Sequence, residues 1–313
     1  MKKGCDEAIE EIRCNLCGNE KTTPFVKVLG YQLVRCKTCG LVFVNPRPSQ
    51  EKIERQYAEE YHRSCLFEQF PGTDEEKEAA IHRYDAPAEN LVKVFGTGKR
   101  LLEIGCSAGF LLANMKRRGW EVTGLDVSEW AATYAREKLG VPCYVGTVES
   151  ASLTGQYDLI ILFHTIEHFS DPLGSLKKIG SLFARDGGLV IKSPNVASFD
   201  RIWHGKRWMG LHPPFDLYYF SPASYKKMLK KAGFVIERMV FQYWNPLIHL
   251  IEMRMGDGLR ADHDPDKVIT FDKQRIRRSP VYQVLNGIWE LMARILHLTG
   301  RDVTIYARRQ ENR

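Results

Sequence analysis

The sequence lacks several features that would place it in other classes of protein. No run of about 18 uncharged apolar residues occurs, so no membrane-spanning helix is predicted. The opening MKKGCDEAIEEIRC has no apolar core long enough for a secretory signal, and we therefore expect a cytoplasmic protein. Neither a Gly-x-x-x-x-Gly-Lys-Ser/Thr phosphate loop nor a Gly-x-Gly-x-x-Gly fingerprint is present, and the second absence disfavours an NAD-dependent enzyme.

Charge of one sign is in only modest excess. The 313 residues include 45 Lys or Arg and 38 Asp or Glu, which gives a formal net charge of +7. The cations gather at 226–231, 273–278 and 308–309 rather than in one block. Solvated helix faces explain such clusters most simply. Attraction to an anionic substrate or to a membrane surface is the alternative, and no nucleic-acid partner is expected.

Four of the eight cysteines form a pattern near the start of the chain. CNLCG supplies Cys14 and Cys17, and CKTCG supplies Cys36 and Cys39, with 18 residues between the pairs. A glycine after each pair permits a tight turn that aims both sulfurs at one point. Four thiolates in this spacing predict a structural zinc site, and FVKVLGYQLVRC between them predicts two short strands around Gly30, hence a zinc ribbon. A redox dithiol or an iron–sulfur site is the competing interpretation.

Short apolar runs alternate with helical stretches from Arg100 onward. Strands are predicted at RLLEIG, WEVTGLD, VPCYVG, YDLIILFH, GLVIKSPN, FVIERMVF and DVTIYARR. Helices are predicted between them, starting after the caps Ser128, Asp171 and Ser221, and the second of these is expected over 171–184. This alternation predicts an α/β fold with a doubly wound, mostly parallel sheet.

The first of these strands ends in the turn EIGCSAG, where Gly105 and Gly109 are separated by three residues. Ligands of open α/β sheets bind at the carboxyl ends of the strands. Glu103 would repel a pyrophosphate there and suits a cation such as an ammonium group. Asp126 ends the second strand, where a carboxylate can accept hydrogen bonds from both hydroxyls of a ribose. The pocket therefore favours a nucleoside with a positive group and no phosphate, a description that S-adenosylmethionine fits.

Residues 100–240 resemble the class I S-adenosylmethionine-dependent methyltransferases. LLEIGCSAGF is similar to the first motif of that family, GLDVS to the second, and YVGTVES to its adenine-side loop. YDLIILFHTIEHFSDP and FARDGGLVIKSPN resemble the fourth and fifth strands. HPPFDLYYFSP resembles a loop of a bacterial subgroup that also carries an N-terminal zinc ribbon and is similar to ubiquinone-biosynthesis O-methyltransferases and sugar methyltransferases. The resemblance implies a Rossmann-like sheet of seven strands.

The resemblance also implies which residues bind the cofactor. They would line its methionine, ribose, adenine and sulfonium parts: Glu103, Gly105, Ser107, Gly109, Asp126, Val127, Thr147, Val148, Phe163 and His164. A simpler interpretation is open for some of them. The glycines satisfy a turn in any case, and Asp126 could serve only as a helix cap.

The candidate catalytic residues are His164 and His168 in FHTIEHFSDP. An oxygen acceptor must lose a proton during methyl transfer, and a histidine base suits that task near neutral pH. The pair Glu167–His168 resembles the motif after the fourth strand of the O-methyltransferases. Orientation of this loop, or capping of the helix that follows, is the alternative role for His168.

The loop HGKRWMGLHPPFDLYYFSP predicts a wall of the acceptor site, and an ordinary packed crossover loop is the alternative. Four of its side chains are available to an acceptor: Arg207, Trp208, Tyr218 and Tyr219. In the subgroup this loop commonly reads D-P-P-R-H-L-Y-H-F-S-P. Here Phe215, Asp216 and Tyr219 replace the arginine and two histidines, which indicates a different acceptor or a different base.

An apolar face with helical spacing runs through PVYQVLNGIWELMARILHL, and we consider its residues 281–298. A helix packed on the core or on a partner subunit, as in a homodimer, is the simpler interpretation. A helix lying in a membrane surface is the alternative, and it would suit a lipid-linked acceptor.

These features divide the chain into three predicted parts: a zinc ribbon at 1–48, a helical cap or linker at 49–98, and an S-adenosylmethionine-dependent methyltransferase domain at 99–313 with a helical insertion at about 241–300. The predicted reaction is O-methylation of a small-molecule acceptor of sugar, lipid-linked or quinone-like type. Sugar C- or N-methylation and a non-catalytic module, in which the ribbon binds a protein or nucleic acid, are the alternatives. A cytoplasmic location is expected, with peripheral contact at the inner membrane surface left open.

Overall fold

The computed structural model describes residues 9–49, 52, 72–153, 155–243, 280–295 and 299–310. Part of the predicted linker and most of the predicted insertion lie outside these ranges. The strands within them are β1 (Ile9–Glu10), β2 (Thr22–Val28), β3 (Tyr31–Cys36), β4 (Val42–Val44), β5 (Arg47–Pro48), β6 (Arg100–Ile104), β7 (Glu121–Asp126), β8 (Cys143–Val145), β9 (Tyr157–Phe163), β10 (Phe183–Pro194), β11 (Tyr218–Tyr219), β12 (Phe234–Gln242) and β13 (Asp302–Arg309).

The helices begin at the caps that the sequence marks. The Ser128 and Asp171 side chains accept backbone N–H bonds at two of the starts, and Ser221 forms a reciprocal capping box with Ser224. The helices of the described ranges are α1 (Asp74–His82), α2 (Asp85–Phe95), α3 (Phe110–Arg117), α4 (Glu129–Leu139), α5 (Pro172–Gly180), α6 (Phe199–His204), α7 (Pro222–Lys231) and α8 (Pro280–Ile295).

The central sheet has seven strands in the order β12-β13-β10-β9-β6-β7-β8. Neighbouring strands from β8 to β10 are parallel, whereas β13 runs antiparallel to both β10 and β12. From β6 the chain continues to β7 and β8 on one side of the sheet, and from β9 it continues to β10 on the other side. The topological switch point therefore lies between β6 and β9. The predicted doubly wound, mostly parallel sheet of seven strands is confirmed.

The helix predicted over 171–184 is shorter in the structure, so its predicted end is wrong. The helix α5 ends at Gly180, and β10 begins at Phe183. The carbonyl of Leu182 accepts the N–H of Tyr157 at 2.8 Å, and Phe183 pairs with the same residue across a bulge. Apolar residues after Gly180 fit a helical pattern as well as a strand, and contact with the start of β9 decides for the strand.

The ribbon is built as predicted and is larger than predicted. The strands β2 and β3 form a hairpin around Gly30, and β4 pairs with β3. A fourth strand, β11, lies more than 170 residues later in the sequence and pairs with β4. Tyr218 is opposite Phe43, and Tyr219 is opposite Val42. Residues of the ribbon, β9 and α7 share one buried cluster. The ribbon therefore packs as part of the sheet domain's core.

Helices α1 and α2 cover the opposite face of the sheet. Asn114 on α3 donates to the carbonyl of Ile81 at 3.1 Å and to Asp85 at 2.8 Å. Leu91 of α2 is buried in the cluster that includes Leu101 and Leu112. The described part of the predicted linker thus packs on the sheet domain, beside the helix that follows the glycine turn.

Candidate functional site

The turn between β6 and α3 requires its two glycines. Gly105 has φ 72° and Gly109 has φ 77°, both in the left-handed region. A Cβ atom on Gly105 would lie 2.5 Å from the side chain of Thr165, which follows β9. The N–H of Gly105 donates to the carbonyl of Leu125 at 2.7 Å. The turn is thereby fixed between the carboxyl ends of the neighbouring strands, at the switch point.

Asp126 joins this turn to the end of β7. Its carboxylate accepts the backbone N–H of Ser107 at 2.7 Å and that of Ser128 at 2.9 Å. It therefore does cap the segment that leads into α4. Burial raises the pKa of Asp126 above its ordinary value. Each carboxylate oxygen has a second lone pair, so the cap leaves capacity for two further hydrogen bonds from a ligand.

Glu103 is the buried acid of this site. It is 5% exposed, and its Oε2 atom finds no hydrogen-bond partner among the described residues. Burial, with the nearby charge of Asp126, raises the pKa of Glu103 well above its ordinary value. A buried carboxylate of this kind lacks a donor, and a cationic ligand would supply one.

The remaining predicted cofactor residues lie along the same edge. The N–H of Gly146 donates to the carbonyl of Asp126 at 2.9 Å, which brings the loop with Thr147 beside the end of β7. The Val148 side chain is buried in the core, whereas Val127 is 49% exposed. The adenine-side roles of Thr147 and Val148, and the cofactor contact of Val127, stay predictions.

The fourth strand of the predicted series, β9, ends at Phe163 beside this turn. His164 follows with φ 51°, a left-handed conformation that is uncommon for a residue with a side chain. Its N–H donates to the carbonyl of Lys192 at 2.7 Å, and its Nδ1 atom lies 3.7 Å from Oε1 of Glu167. The hydrogen bond to Lys192 fixes this residue directly after β9, so the imidazole of His164 lies at the carboxyl edge of the sheet.

A cavity of about 310 Å³, here called the histidine cavity, opens at this edge. Its size suits a small molecule. Besides apolar residues, it is lined by charged and titratable side chains, which include His164, Glu167, His168, His212, Asp216 and Arg301. The structure thus brings both predicted catalytic histidines to one cavity.

His168 is oriented by groups from the loop of residues 204–222, here called the lid loop. Its Nδ1 atom lies 3.1 Å from the carbonyl oxygen of Phe215 and 3.2 Å from Oδ1 of Asp216. Either acceptor would hold the Nδ1 proton and so favour the tautomer whose Nε2 atom accepts. Burial raises the pKa of Asp216 to about 7, against the lowering effect of His168. This arrangement can take a proton from a bound ligand and stabilise the resulting imidazolium.

Sequence reasoning missed some of the residues that complete this cavity. In the sequence Asp216 is visible only as a departure from the subgroup's loop, and neither His212 nor Arg301 belongs to a recognised motif. Arg301 lies directly before β13. Buried Glu167 has an Oε2 atom that finds no partner among the described residues. The available signal is that His212 and Asp216 stand four residues apart in a loop already predicted to border the acceptor.

The four side chains predicted to form the acceptor wall lie in different surroundings in the structure. Trp208 lines the histidine cavity, and its indole N–H donates to Asp200 at 2.7 Å. Tyr218 and Tyr219 are buried in β11, and the Tyr218 hydroxyl donates to the carbonyl of Ser170 at 3.1 Å. Arg207 is exposed. The lid therefore contributes one predicted wall residue, while the tyrosines join the loop to the ribbon.

The four predicted metal ligands meet at one point. Their Sγ atoms, from Cys14, Cys17, Cys36 and Cys39, all lie within 4.8 Å of one another. The pairs Cys14–Cys39 and Cys17–Cys36 are separated by 3.4 and 3.5 Å. Four sulfurs bound tetrahedrally at about 2.3 Å from zinc stand about 3.8 Å apart. The cluster therefore fits a tetrahedral metal ion with only small adjustments.

Comparison with known families and curated sequences decides the class of the protein. A family model described as a methyltransferase domain matches residues 77–238, which is more than half of the chain. The ubiquinone biosynthesis O-methyltransferase of Aeromonas salmonicida (strain A449) is 31% identical over 180 residues, which cover 53% of this chain and 74% of that protein. This chain belongs to the methyltransferase family. The prediction of a methyltransferase enzyme is confirmed.

Other relatives of this methyltransferase agree in sequence and fold. The ubiquinone biosynthesis O-methyltransferase of Aromatoleum aromaticum is 35% identical over 172 residues, which cover 50% of this chain and 72% of that protein. The crystal structure of magnesium protoporphyrin IX methyltransferase from Synechocystis PCC 6803, with SAH bound, covers 84% of this chain and 100% of its own. Its TM-score is 0.50 at 16% identity, so this likeness concerns the fold.

No helix among the described residues of the methyltransferase has both the length and the apolar character that a membrane span requires. Helix α8 is amphipathic in sequence, and several of its large apolar side chains are exposed.

Proposed function

We propose that this methyltransferase transfers a methyl group from S-adenosylmethionine to a hydroxyl oxygen of a small molecule bound in the histidine cavity. The observation that carries the proposal is the contact of His168 with Phe215 and Asp216 at the wall of that cavity. An oriented histidine beside a cofactor turn is what an acceptor with a dissociable proton requires. The two curated relatives described above are both named as O-methyltransferases of ubiquinone biosynthesis, which supports the same choice of atom.

The residues at the glycine turn fit S-adenosylmethionine. The orphaned, buried oxygen of Glu103 suits the ammonium group of its methionine part, directly or through a water molecule. Asp126 has acceptor capacity left for the ribose hydroxyls after its two backbone bonds. The close approach of Gly105 to Thr165 leaves no room for a side chain in the turn. When bound, the cofactor supplies an activated methyl group on a sulfonium.

The chain's own residues then act on the acceptor. His168 takes the proton of the acceptor hydroxyl as the oxygen becomes a nucleophile, and the carboxylate of Asp216 stabilises the imidazolium that forms. The orphaned oxygen of Glu167 accepts a hydrogen bond from a second donor group of the acceptor. Trp208 and Pro194 provide apolar walls that exclude water from the reaction. Sugar, lipid-linked and quinone-like hydroxyl compounds are the acceptor classes to be screened.

Structural zinc at the cysteine cluster is part of the proposal. Four mostly buried thiolates within 4.8 Å of one another leave no open position for a substrate. The ion would therefore hold the ribbon together rather than take part in the reaction.

The first test concerns the cofactor and uses calorimetry on the zinc-loaded protein. We expect S-adenosylhomocysteine to bind, NADH not to bind, and Asp126→Ala to lose at least tenfold in affinity, which is about 1.4 kcal/mol. Asp186→Ala, which removes an exposed carboxylate, is the matched control. Absence of S-adenosylhomocysteine binding to the folded protein would overturn the cofactor assignment.

The second test concerns the methylated atom. A ¹³C-methyl-labelled donor is offered with each acceptor class, and the chemical shift of the product's methyl carbon separates an ether from an N-methyl or C-methyl group. We expect an ether, and a turnover number about 10²–10⁴-fold lower in His168→Gln. His82→Gln, on the surface of α1, is the control. A product methylated at nitrogen or carbon would replace the proposed reaction by the sugar N- or C-methyltransferase alternative.

A further inference from the structure

Two segments beside the histidine cavity expose large apolar side chains. In α6 and the turn after it, Ile202 is 64% exposed, Trp203 66% and Met209 65%. Helix α8 exposes a second set, which comprises Val284, Leu285, Ile288, Leu291 and Met292. Exposed apolar residues are ordinary when they occur singly, but grouped ones indicate an interaction surface. We call these eight residues together the apolar face.

The two segments are packed against each other. The ring of Phe199 lies 5.9 Å from that of Trp203 and 6.0 Å from that of Trp289 on α8. The residues that follow α8 continue this contact, because the Phe199 N–H donates to the carbonyl of Thr299 at 3.2 Å. The exposed residues of α6 and α8 therefore belong to one region of the surface.

The apolar face reaches the mouth of the cavity. Met209 belongs to the face and also lines the histidine cavity, together with Arg301. The Arg301 guanidinium lies 3.6 Å from the Met209 sulfur. A molecule that covers the face would therefore lie next to the entrance for the acceptor.

Exposed cations lie within the face. Lys206 and Arg207 occupy the turn between Trp203 and Met209, and both are exposed. Among the described side chains of 199–210 and 280–295, none that is exposed is acidic. The sequence adds four cations in KQRIRR, one residue before α8, against the two acids Asp272 and Glu290, so the surrounding charge stays positive. A second copy of the same face would bring like charges together, whereas an anionic surface would complement them.

We propose that the apolar face docks on an anionic phospholipid membrane, with Trp203 and the exposed side of α8 in the interface and Lys206 and Arg207 against the headgroups. Tryptophan and apolar residues beside lysine and arginine are the composition of interfacial segments. Docking in this orientation places the mouth of the histidine cavity at the lipid surface. The proposal does not depend on the methyl acceptor, since it concerns binding of the protein alone.

The experiment measures co-flotation of the full-length, zinc-loaded protein with vesicles, without methyl donor or acceptor. One set of vesicles contains phosphatidylcholine only, and the other contains equal parts of phosphatidylcholine and phosphatidylglycerol. We expect binding to the anionic vesicles at least tenfold stronger than to the neutral ones, weakening as salt is raised. The fluorescence of Trp203, compared with Trp203→Phe, should shift to shorter wavelength on binding.

Variants with matched controls separate the two kinds of contact. Two double variants should each reduce binding to anionic vesicles at least tenfold. One replaces apolar residues (Trp203→Glu with Ile288→Glu), and the other replaces cations (Lys206→Glu with Arg207→Glu). Leu29→Glu, in the exposed turn of the ribbon hairpin, and Lys177→Glu, on the exposed side of α5, should leave it unchanged. Unchanged S-adenosylhomocysteine affinity shows that the variants are folded.

Two results would overturn the proposal. One is equal or absent binding to both kinds of vesicle by the folded wild type. The other is a dimer, detected by light scattering, that Ile288→Glu dissociates while vesicle binding is absent, since the apolar face would then be covered by a second copy of the chain. Neither result bears on whether the protein methylates a small molecule, which the labelled-donor experiment decides separately.

Discussion

At the scale of single residues, four buried acids are the unusual feature of the proposed site of this methyltransferase. Glu103, Asp126, Glu167 and Asp216 are each at most 6% exposed and lie around the carboxyl edge of the sheet. A charge buried without full compensation costs free energy, and a protein keeps such groups where a ligand or a proton completes them. Asp126 and Asp216 already have donors, whereas Glu103 and Glu167 each have an oxygen without a partner among the described residues.

Asp216 should make stability depend on pH. Burial raises its pKa in the folded protein to about 7, whereas the unfolded chain has its ordinary value of 3.8. The folded state therefore retains a proton that the unfolded state releases, and this contribution to stability, complete below pH 4, is lost as the pH rises through 7. We expect the unfolding free energy of Asp216→Asn, relative to wild type, to rise by an amount on the order of a few kcal/mol between pH 4 and 8.

Urea unfolding of both proteins across this range checks the expectation, with Asp186→Asn as the control for loss of an exposed carboxylate. A stability difference between Asp216→Asn and wild type that stays constant with pH would contradict a raised pKa at this position.

Gly105→Ala should lower the free energy of unfolding by more than backbone strain alone would, because the added Cβ also clashes with a neighbouring side chain. The new Cβ would lie 2.5 Å from Thr165, in addition to the strain of φ 72°. Gly119→Ala is the matched control, because φ there is 85° and nothing lies within 4 Å of an added Cβ. Strain of about 1–2 kcal/mol is expected in both variants, and about 1–3 kcal/mol more in Gly105→Ala.

Denaturant unfolding measures the difference, and calorimetry with S-adenosylhomocysteine measures its effect on the turn. If the two alanine variants were equally stable and bound the ligand equally, Thr165 would not constrain the turn as the structure indicates.

At the scale of elements, the four-stranded sheet of the ribbon joins distant parts of the chain. Its strand β11 belongs to the lid loop, and Lys227 and Lys231 of α7 donate to the carbonyls of Cys39 and Leu16 at 2.9 and 2.8 Å. The same loop supplies Phe215 and Asp216 to His168. The ribbon therefore supports the wall of the histidine cavity, where we propose that the acceptor binds, whereas β6, β7 and α3 support the glycine turn.

Removal of the metal should consequently affect the two sides of the site differently. We expect a chelator, or Cys17→Ser, to lower the melting temperature and to reduce turnover of the acceptor at least tenfold, while the affinity for S-adenosylhomocysteine changes less than threefold. Without the metal the two cysteine turns are no longer joined, so the lid loop should lose part of its support, while the apolar core that the ribbon shares with the sheet keeps the cofactor side folded. Metal content, melting temperature and calorimetric affinity are measured on the same samples.

Cys5→Ser, outside the four-cysteine pattern, is the control for loss of a thiol, and restoration by added zinc is the control for the chelator. Equal loss of cofactor affinity and turnover would show that the ribbon supports the whole sheet rather than the acceptor side.

The whole molecule has its ribbon and one face of the central sheet in a single core. The cluster that contains Cys14, Leu16 and Phe43 also contains Ile160, Leu176 and Phe220. Contacts of this kind couple the stability of the parts, because neither can be exposed without the other. The predicted domain boundary at residue 48 thus lies within a continuous core, and the boundary itself stays a prediction.

One cooperative transition is therefore expected when the zinc-loaded protein is heated in a calorimeter. The calorimetric and van't Hoff enthalpies should agree for that transition. Leu41→Ala in the ribbon and Leu176→Ala in α5 should each lower the midpoint temperature of that one transition. A separate early transition that only Leu41→Ala shifts would contradict a shared core.

The sequence by itself determined the features that depend on neighbouring residues. Hydrophobic periodicity and the caps Ser128 and Ser221 predicted most strands and helices, and the spacing of the cysteines predicted their cluster. The glycine turn and Asp126 predicted where a nucleoside would bind, because glycine conformation and strand ends are local properties. The predicted end of helix α5 was wrong, because a short apolar run is compatible with a helix or a strand until its contacts are known.

Only the tertiary structure decided which distant segments meet. The contact of His168 with Asp216, the addition of β11 to the ribbon and the closeness of α6 to α8 join residues 48 or more positions apart. No local spacing encodes such contacts, because they depend on which faces of the folded elements bury one another. The methyltransferase sheet could thus be predicted from the sequence, whereas the wall of the histidine cavity and the apolar face beside it required the fold.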